Sequence, residues 1–214
     1  MKILNFGSCN IDFVYKLDHI VTIGETETSN SMQVFPGGKG LNQSVALAKA
    51  GMEVYHAGCI GTDGEMLTDV LESNGVDISN IKKVDEKTGH PIIQVSSKGD
   101  NSIFLYSGSN AKITEEFVDE VLDKFQKGDM LLLQNEINKI DYIIEKAYKK
   151  GMCIIFNPSP YNDEIKNIGI RINLLHRVKF VAGGFVVRKL YGLNYWHICW
   201  NLYVKFTEPE NMHY

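Results

Sequence analysis

The stretch from Met130 to Phe156 constrains the fold more than any other part of the chain. Met130–Leu133 is a continuous apolar run, as expected of a strand covered on both faces. Ile140, Ile143, Ile144 and Ala147 then share one face of a helix predicted over Ile140–Tyr148. Met152–Phe156 is a second buried strand, and it ends at Asn157-Pro158-Ser159-Pro160. Strand, helix and strand with short connections make a parallel βαβ unit, which is right-handed by rule. Sheets of this kind take ligands outside the carboxyl ends of their strands. Asn10, Asn135, Glu136 and Asn157 all follow predicted strands, so polar side chains converge on that edge.

The rest of the chain up to residue 170 supports the same class. Residues 2–7 and Val54–Cys59 are predicted buried strands. Asn42–Ala50 is predicted helical and stops at Gly51, a suitable C-cap. A helix over Asp63–Ser73 places Met66, Leu67, Val70 and Leu71 on one face, with Asp63 expected to cap its start. Thr114 is the expected N-cap of a helix carrying Glu115 and Glu116 in its first turn and Phe117, Val121 and Phe125 on its apolar face. Residues 12–17, 30–36, 91–96 and 102–106 are predicted strands with mixed faces, the last two joined at Lys98-Gly99-Asp100-Asn101. Beyond Ile170 the rhythm fails. A strand pair through Gly183-Gly184 is the one expectation there, over Val178–Val187.

Composition excludes several classes. Hydrophobic residues are 44% and charged residues 22%, which is ordinary for a globular domain. The net charge of −4 argues against nucleic-acid binding. Cys9, Cys59, Cys153 and Cys199 stand far apart without a C-x-x-C pair, so neither a disulfide framework nor a zinc site is expected. No apolar run is long enough for a signal peptide or a membrane span, and a cytoplasmic protein is expected. The charge is unevenly spread. All three arginines and both tryptophans lie in residues 171–214, where six basic residues meet two acidic ones.

The most informative motif is Gly37-Gly38-Lys39-Gly40-Leu41-Asn42-Gln43-Ser44. A glycine turn opening a helix offers backbone N–H groups to an anion or to hydroxyl oxygens. It is neither a Walker loop nor a dinucleotide fingerprint, because Gln33 stands at the first glycine position of the former and G-x-G-x-x-G is absent. With Gly51 and Gly61 downstream, it resembles the first signature of the PfkB carbohydrate kinase family. Gly7-Ser8-Cys9-Asn10-Ile11-Asp12, Gly24-Glu25-Thr26 and Ser107-Gly108-Ser109-Asn110-Ala111 resemble its ribokinase-like members. Gln134-Asn135-Glu136 and Asn157-Pro158-Ser159-Pro160 follow in family order.

The resemblance covers about residues 1–168. It implies an α/β, ribokinase-like fold: a central, mostly parallel sheet with flanking helices plus a small β-sheet lid, truncated at the C-terminal side. The lid strands are those near 12–17, 30–36, 91–96 and 102–106, and the lid is also implied as a homodimer interface. Asn10, Asp12, the backbone at Gly38 and Gly40, Lys39, Asn42 and Glu136 are implied to bind a sugar. Their chemistry suits hydroxyls, since Asn both donates and accepts, Asp accepts and Lys donates. The implied reaction is ATP-dependent phosphorylation with Mg²⁺ and often a monovalent cation. Ribose is the first-choice substrate, and fructose, a deoxy-keto sugar acid or a nucleoside are the alternatives.

The family's C-terminal elements are not recognisable. Residues 160–214 contain no G-A-G-D loop, no Asp after Asp163 and no Asn-x-x-Glu. No catalytic base, nucleotide-binding residue or metal ligand is therefore identified. Little or no kinase activity is expected of this polypeptide alone. Residues 169–214 form an atypical tail with three readings: a reading-frame change after about residue 168, a short variant that pairs with another chain, and a divergent ending. A non-catalytic sugar-binding or subunit-interaction protein built on the kinase fold is the alternative function.

Overall fold

A computed structural model describes residues 1–160 and the strand Val178–Phe180. Among the described residues six parallel strands form the central sheet: β1 (Ile3–Phe6), β4 (Val54–Ile60), β5 (Asp77–Lys83), β8 (Met130–Gln134), β9 (Cys153–Asn157) and β10 (Val178–Phe180). Their order is β10-β9-β8-β1-β4-β5. A separate sheet holds β2 (Asn10–Leu17), β3 (Ser31–Gly37), β6 (His90–Ser96) and β7 (Asn101–Tyr106), in the order β3-β2-β6-β7. It is mixed: β2 runs parallel to β6, and both outer pairs are antiparallel.

Helices cover both faces of the central sheet. On one face α3 (Glu115–Leu122) and α4 (Ile140–Lys150) bury Phe117, Val121, Ile143 and Ile144 against Leu4, Phe6, Leu131 and Leu133. Phe6 meets Phe117 edge-on at 5.8 Å between ring centroids. On the other face α1 (Lys39–Lys49) and α2 (Glu65–Ser73) bury Leu41, Leu67 and Leu71 with Val54, Ile60 and Val76. Thr114 caps α3 by accepting a hydrogen bond from the Phe117 N–H at 3.2 Å. Gly151, at φ 79°, ends α4.

Three expectations need correction. The helix expected over Asn42–Ala50 begins at Lys39, because partners distant in sequence satisfy its first turn. The second helix starts at Glu65, and Asp63 does not cap it. The Asp63 Oδ1 accepts instead from the Thr88 N–H at 2.9 Å and the Thr88 hydroxyl at 2.6 Å, and so holds the segment that leads into β6. Strand β5 was not anticipated. It lies at the sheet edge, where Asp-Ile-Ser-Asn-Ile-Lys-Lys buries little and shows no clean alternation. Cys9, Cys59 and Cys153 are free thiols. Cys199 and the tail over residues 169–214 lie outside the described residues, Val178–Phe180 excepted. That strand pairs in parallel with β9, and the remainder of the strand pair expected over Val178–Val187 is also outside them. Among the described residues no helix is long and apolar enough to cross a membrane.

Candidate functional site

The site is built where β1 ends and the chain crosses into the small sheet. Gly7, Ser8 and Cys9 span the gap between β1 and β2. The α1 N-terminus packs directly on this crossover. A Cβ on Gly40 would lie 2.6 Å from the Gly7 carbonyl carbon, so backbone meets backbone there. Gly38 has φ 98°, a conformation that strains any other residue, and a Cβ on it would lie 2.8 Å from the Ser8 carbonyl oxygen.

Ser8 and Glu136 cap α1 in place of a local side chain. The Ser8 hydroxyl donates to Glu136 Oε2 at 2.6 Å and accepts from the Gly40 N–H at 3.2 Å. The Ser8 carbonyl accepts from the Leu41 N–H at 2.9 Å. Glu136 Oε2 also accepts from the Lys39 N–H at 3.0 Å, and its Oε1 pairs with the Lys39 ammonium. The Glu136 side chain is 8% exposed and that of Lys39 is 38% exposed. The glycine turn was expected to offer N–H groups to an anion or to hydroxyl oxygens, and for three of them the structure corrects this. Those of Lys39, Gly40 and Leu41 are already spent inside the protein.

The crossover also brings Asn10 and Asp12 to the same place. Asn10 is buried, and its Oδ1 accepts from Asn110 Nδ2 at 2.8 Å. Asp12 is half-buried, and a Cβ on Gly37 would fall inside its carboxylate. Its Oδ1 is shut off from solvent without a hydrogen-bond partner. Burial, followed by the nearby charge of Glu136, pushes the Asp12 carboxyl up to about 6, with Lys39 opposing. An orphaned carboxylate oxygen between these groups is an acceptor waiting for a donor.

The implied residues do not all converge equally. Asn10, Asp12, Gly38, Lys39, Gly40 and Glu136 meet around the crossover. Asn42 sits exposed on the next turn of α1, where its N–H bonds the Gly38 carbonyl at 3.0 Å. Asn135 donates to the Pro160 carbonyl and so ties the loop after β8 to the loop after β9, whereas Asn157 Oδ1 accepts from the Ser159 N–H at 3.1 Å within its own loop.

A buried polar relay beneath the site was not foreseen. Asn5 on β1 donates to the Gly40 carbonyl at 2.7 Å and to the Ser44 hydroxyl at 2.8 Å. Ser44 reaches His56 Nδ1 at 2.8 Å, and His56 Nε2 lies 3.2 Å from the Cys9 sulfur. Gln134 donates to Asn5 Oδ1 at 2.8 Å from the β8 side. Burial lowers His56 to about 4 and raises the Cys9 thiol to about 12, the latter with help from Cys59. The pair is thus neutral and is not an activated nucleophile. Ser8 and Asn110 lie within the Gly7–Asp12 and Ser107–Ala111 motifs, whereas a lone His in an apolar strand carries no such signal.

Among the described residues no three His, Cys, Asp or Glu side chains gather as a metal site requires. With its first-turn N–H groups already bonded, the α1 terminus does not fit a nucleotide phosphate either.

Residues 1–160 match the family described as pfkB family carbohydrate kinase. The chain is 35% identical over 158 residues to a ribokinase of Bacillus subtilis, covering 72% of this chain and 54% of that protein. It is 35% identical over 159 residues to a ribokinase of Haemophilus influenzae, covering 72% and 52%. It thus spans about half the length of these curated relatives. A ribokinase from Cryptococcus neoformans, solved in complex with ADP, superposes with a TM-score of 0.64 at 37% identity, over 75% of this chain and 50% of that one.

Proposed function

The chain belongs to the pfkB family of carbohydrate kinases, and from that membership we propose that it is the sugar-binding portion of a ribokinase-like enzyme. The proposed reaction moves the terminal phosphate of ATP to a primary hydroxyl of ribose. The orphaned Oδ1 of Asp12 at the crossover carries this reading. A ribose hydroxyl donates to Asp12 and accepts from Asn10 and Lys39. A site that pairs every hydroxyl in this way rejects sugars lacking one, because its own polar groups would be left unpaired.

In this reading the small sheet is a lid that excludes water from the sugar. It is also the face of a homodimer. The register puts Phe35, Ile93, Ile103 and Leu105 on the face that carries Asp12. Phe35, Ile103 and Leu105 are 45%, 55% and 44% exposed, a patch suited to a second copy. Residues 1–168 form the sugar-binding unit and residues 169–214 an atypical tail, of which Val178–Phe180 joins the central sheet, in a protein that works in the cytoplasm. ATP is the proposed phosphoryl donor, with Mg²⁺ and a monovalent cation. The described residues do not fit these groups, and no step is assigned to them.

Phosphoryl transfer needs a base and donors around the moving phosphate. A base is worth roughly 10²–10⁴ in rate, and one such donor roughly 10²–10³. This polypeptide alone is therefore expected to bind ribose without phosphorylating it. Calorimetry tests the binding. Ribose should give saturable heat, Asp12→Ala should abolish it, and ATP alone should give none. Absence of heat with ribose, fructose and nucleosides would refute the sugar site. A coupled assay giving about 1–100 turnovers per second, as kinases do, would refute the missing transfer machinery.

A further inference from the structure

Asn110 stands at the junction of three segments, and its hydrogen bonds determine the polarity of its neighbour. It is 2% exposed. Its Oδ1 accepts from the Cys9 backbone N–H at 3.1 Å, and its Nδ2 donates to the Cys9 carbonyl at 3.1 Å. An N–H only donates and a carbonyl only accepts, so these two contacts leave the Asn110 amide a single orientation. The same Nδ2 then meets Asn10 at 2.8 Å, and the Asn10 atom there must be the acceptor Oδ1. The other end of the Asn10 amide, the donor Nδ2, is consequently the end presented to the site.

The surroundings hold this arrangement rigid. A Cβ on Gly89 would come within 2.7 Å of Asn10 Oδ1, so backbone closes over the pair. The Gly89 carbonyl accepts from the Ile11 N–H at 2.9 Å. Asn138, two residues after Glu136, bonds both the N–H and the carbonyl of Ile113, at 3.1 and 2.9 Å. The Asn110 loop thereby joins the crossover that carries Asn10 to the turn that carries Glu136.

We propose that Asn110 is a positioning residue that fixes Asn10 as a hydrogen-bond donor toward the sugar. Together with the acceptor Asp12, this makes the site read the direction of a hydroxyl's hydrogen bonds and not merely its presence. The proposal rests on the sugar-binding reading above.

A double-mutant cycle in ribose affinity, read by calorimetry, tests it. Asn110→Ala should weaken ribose binding by about three- to tenfold, the worth of one hydrogen bond. In an Asn10→Ala background the same change should cost less than about twofold, because Asn110 acts through Asn10. Equal losses in both backgrounds, or no loss, would overturn the proposal and leave Asn110 a merely structural residue. Should Asn110→Ala not fold, Asn10→Asp at pH 8 tests the polarity directly. It keeps the shape and the bond from Asn110 but turns an acceptor to the site, so ribose should bind no better than to Asn10→Ala. Near wild-type affinity in Asn10→Asp would overturn the proposal. Wild type that binds no sugar would bring down the sugar reading itself, and this proposal with it.

Discussion

Replacing Asp12 by Asn should make the fold more stable while destroying the site. The Asp12 carboxyl is held at about 6 against an ordinary 3.8, through burial first and Glu136 second. A carboxyl raised in this way is protonated in the folded protein at pH values where the unfolded chain has already ionised. Wild-type stability from this group is therefore full below about pH 4 and is lost as the pH rises through about 6. For a group sealed from water the difference would be about 3 kcal/mol. Asp12 is half-buried, so solvent screening leaves about 1–2 kcal/mol. Asn has the same shape and carries no charge to be repelled by Glu136. At pH 8 Asp12→Asn should then unfold about 3–6 °C above wild type, and by pH 4 the gap should close. Thermal unfolding followed by circular dichroism at the two pH values measures this, and ribose calorimetry measures the accompanying loss of binding. A variant no more stable than wild type at pH 8, or a gap of equal size at pH 4, would show that Asp12 carries no such burden.

Three other substitutions probe neighbouring parts of the site. Glu136→Gln removes the nearby negative charge, so the Asp12 carboxyl should fall below about 6 in a carboxyl NMR titration while burial still holds it above 3.8, with loss of the Lys39 ion pair. His56 is buried neutral, with its protonation lowered to about 4, whereas the unfolded chain takes up that proton near 6.5. Its contribution of about 3 kcal/mol should be complete above pH 6.5 and be lost as the pH falls to about 4; urea midpoints should trace that slope, and His56→Gln should flatten it. Gly40→Ala drives a methyl into the Gly7 backbone and should cost about 2–3 kcal/mol in urea unfolding, together with ribose binding.

Much of the fold was legible because burial leaves a local trace. The apolar run of β8, the one-sided stripe of α4 and the cap at Thr114 each report what a segment touches within a few residues. The mixed faces of β2, β3, β6 and β7 likewise set them apart from the central strands. Elements whose cause is distant left a weaker trace. β5 buries too little to alternate, and Asp63 looks like a cap until Thr88, 25 residues away, is seen to hold it.

By itself the sequence determined the alternation of strands and helices, the glycines at the turn and the polar residues that gather at the carboxyl edge of the sheet. Only the tertiary structure decided how their hydrogen bonds are spent. Ser8 and Glu136 are 128 residues apart, and Lys39 and Glu136 are 97 apart, yet these three together close the first turn of α1. The orientation of Asn10 depends on Asn110, 100 residues further along. Side-chain periodicity records whether a residue is buried. It does not record which donor meets which acceptor, because that pairing exists only once the two sheets and the helix are packed together.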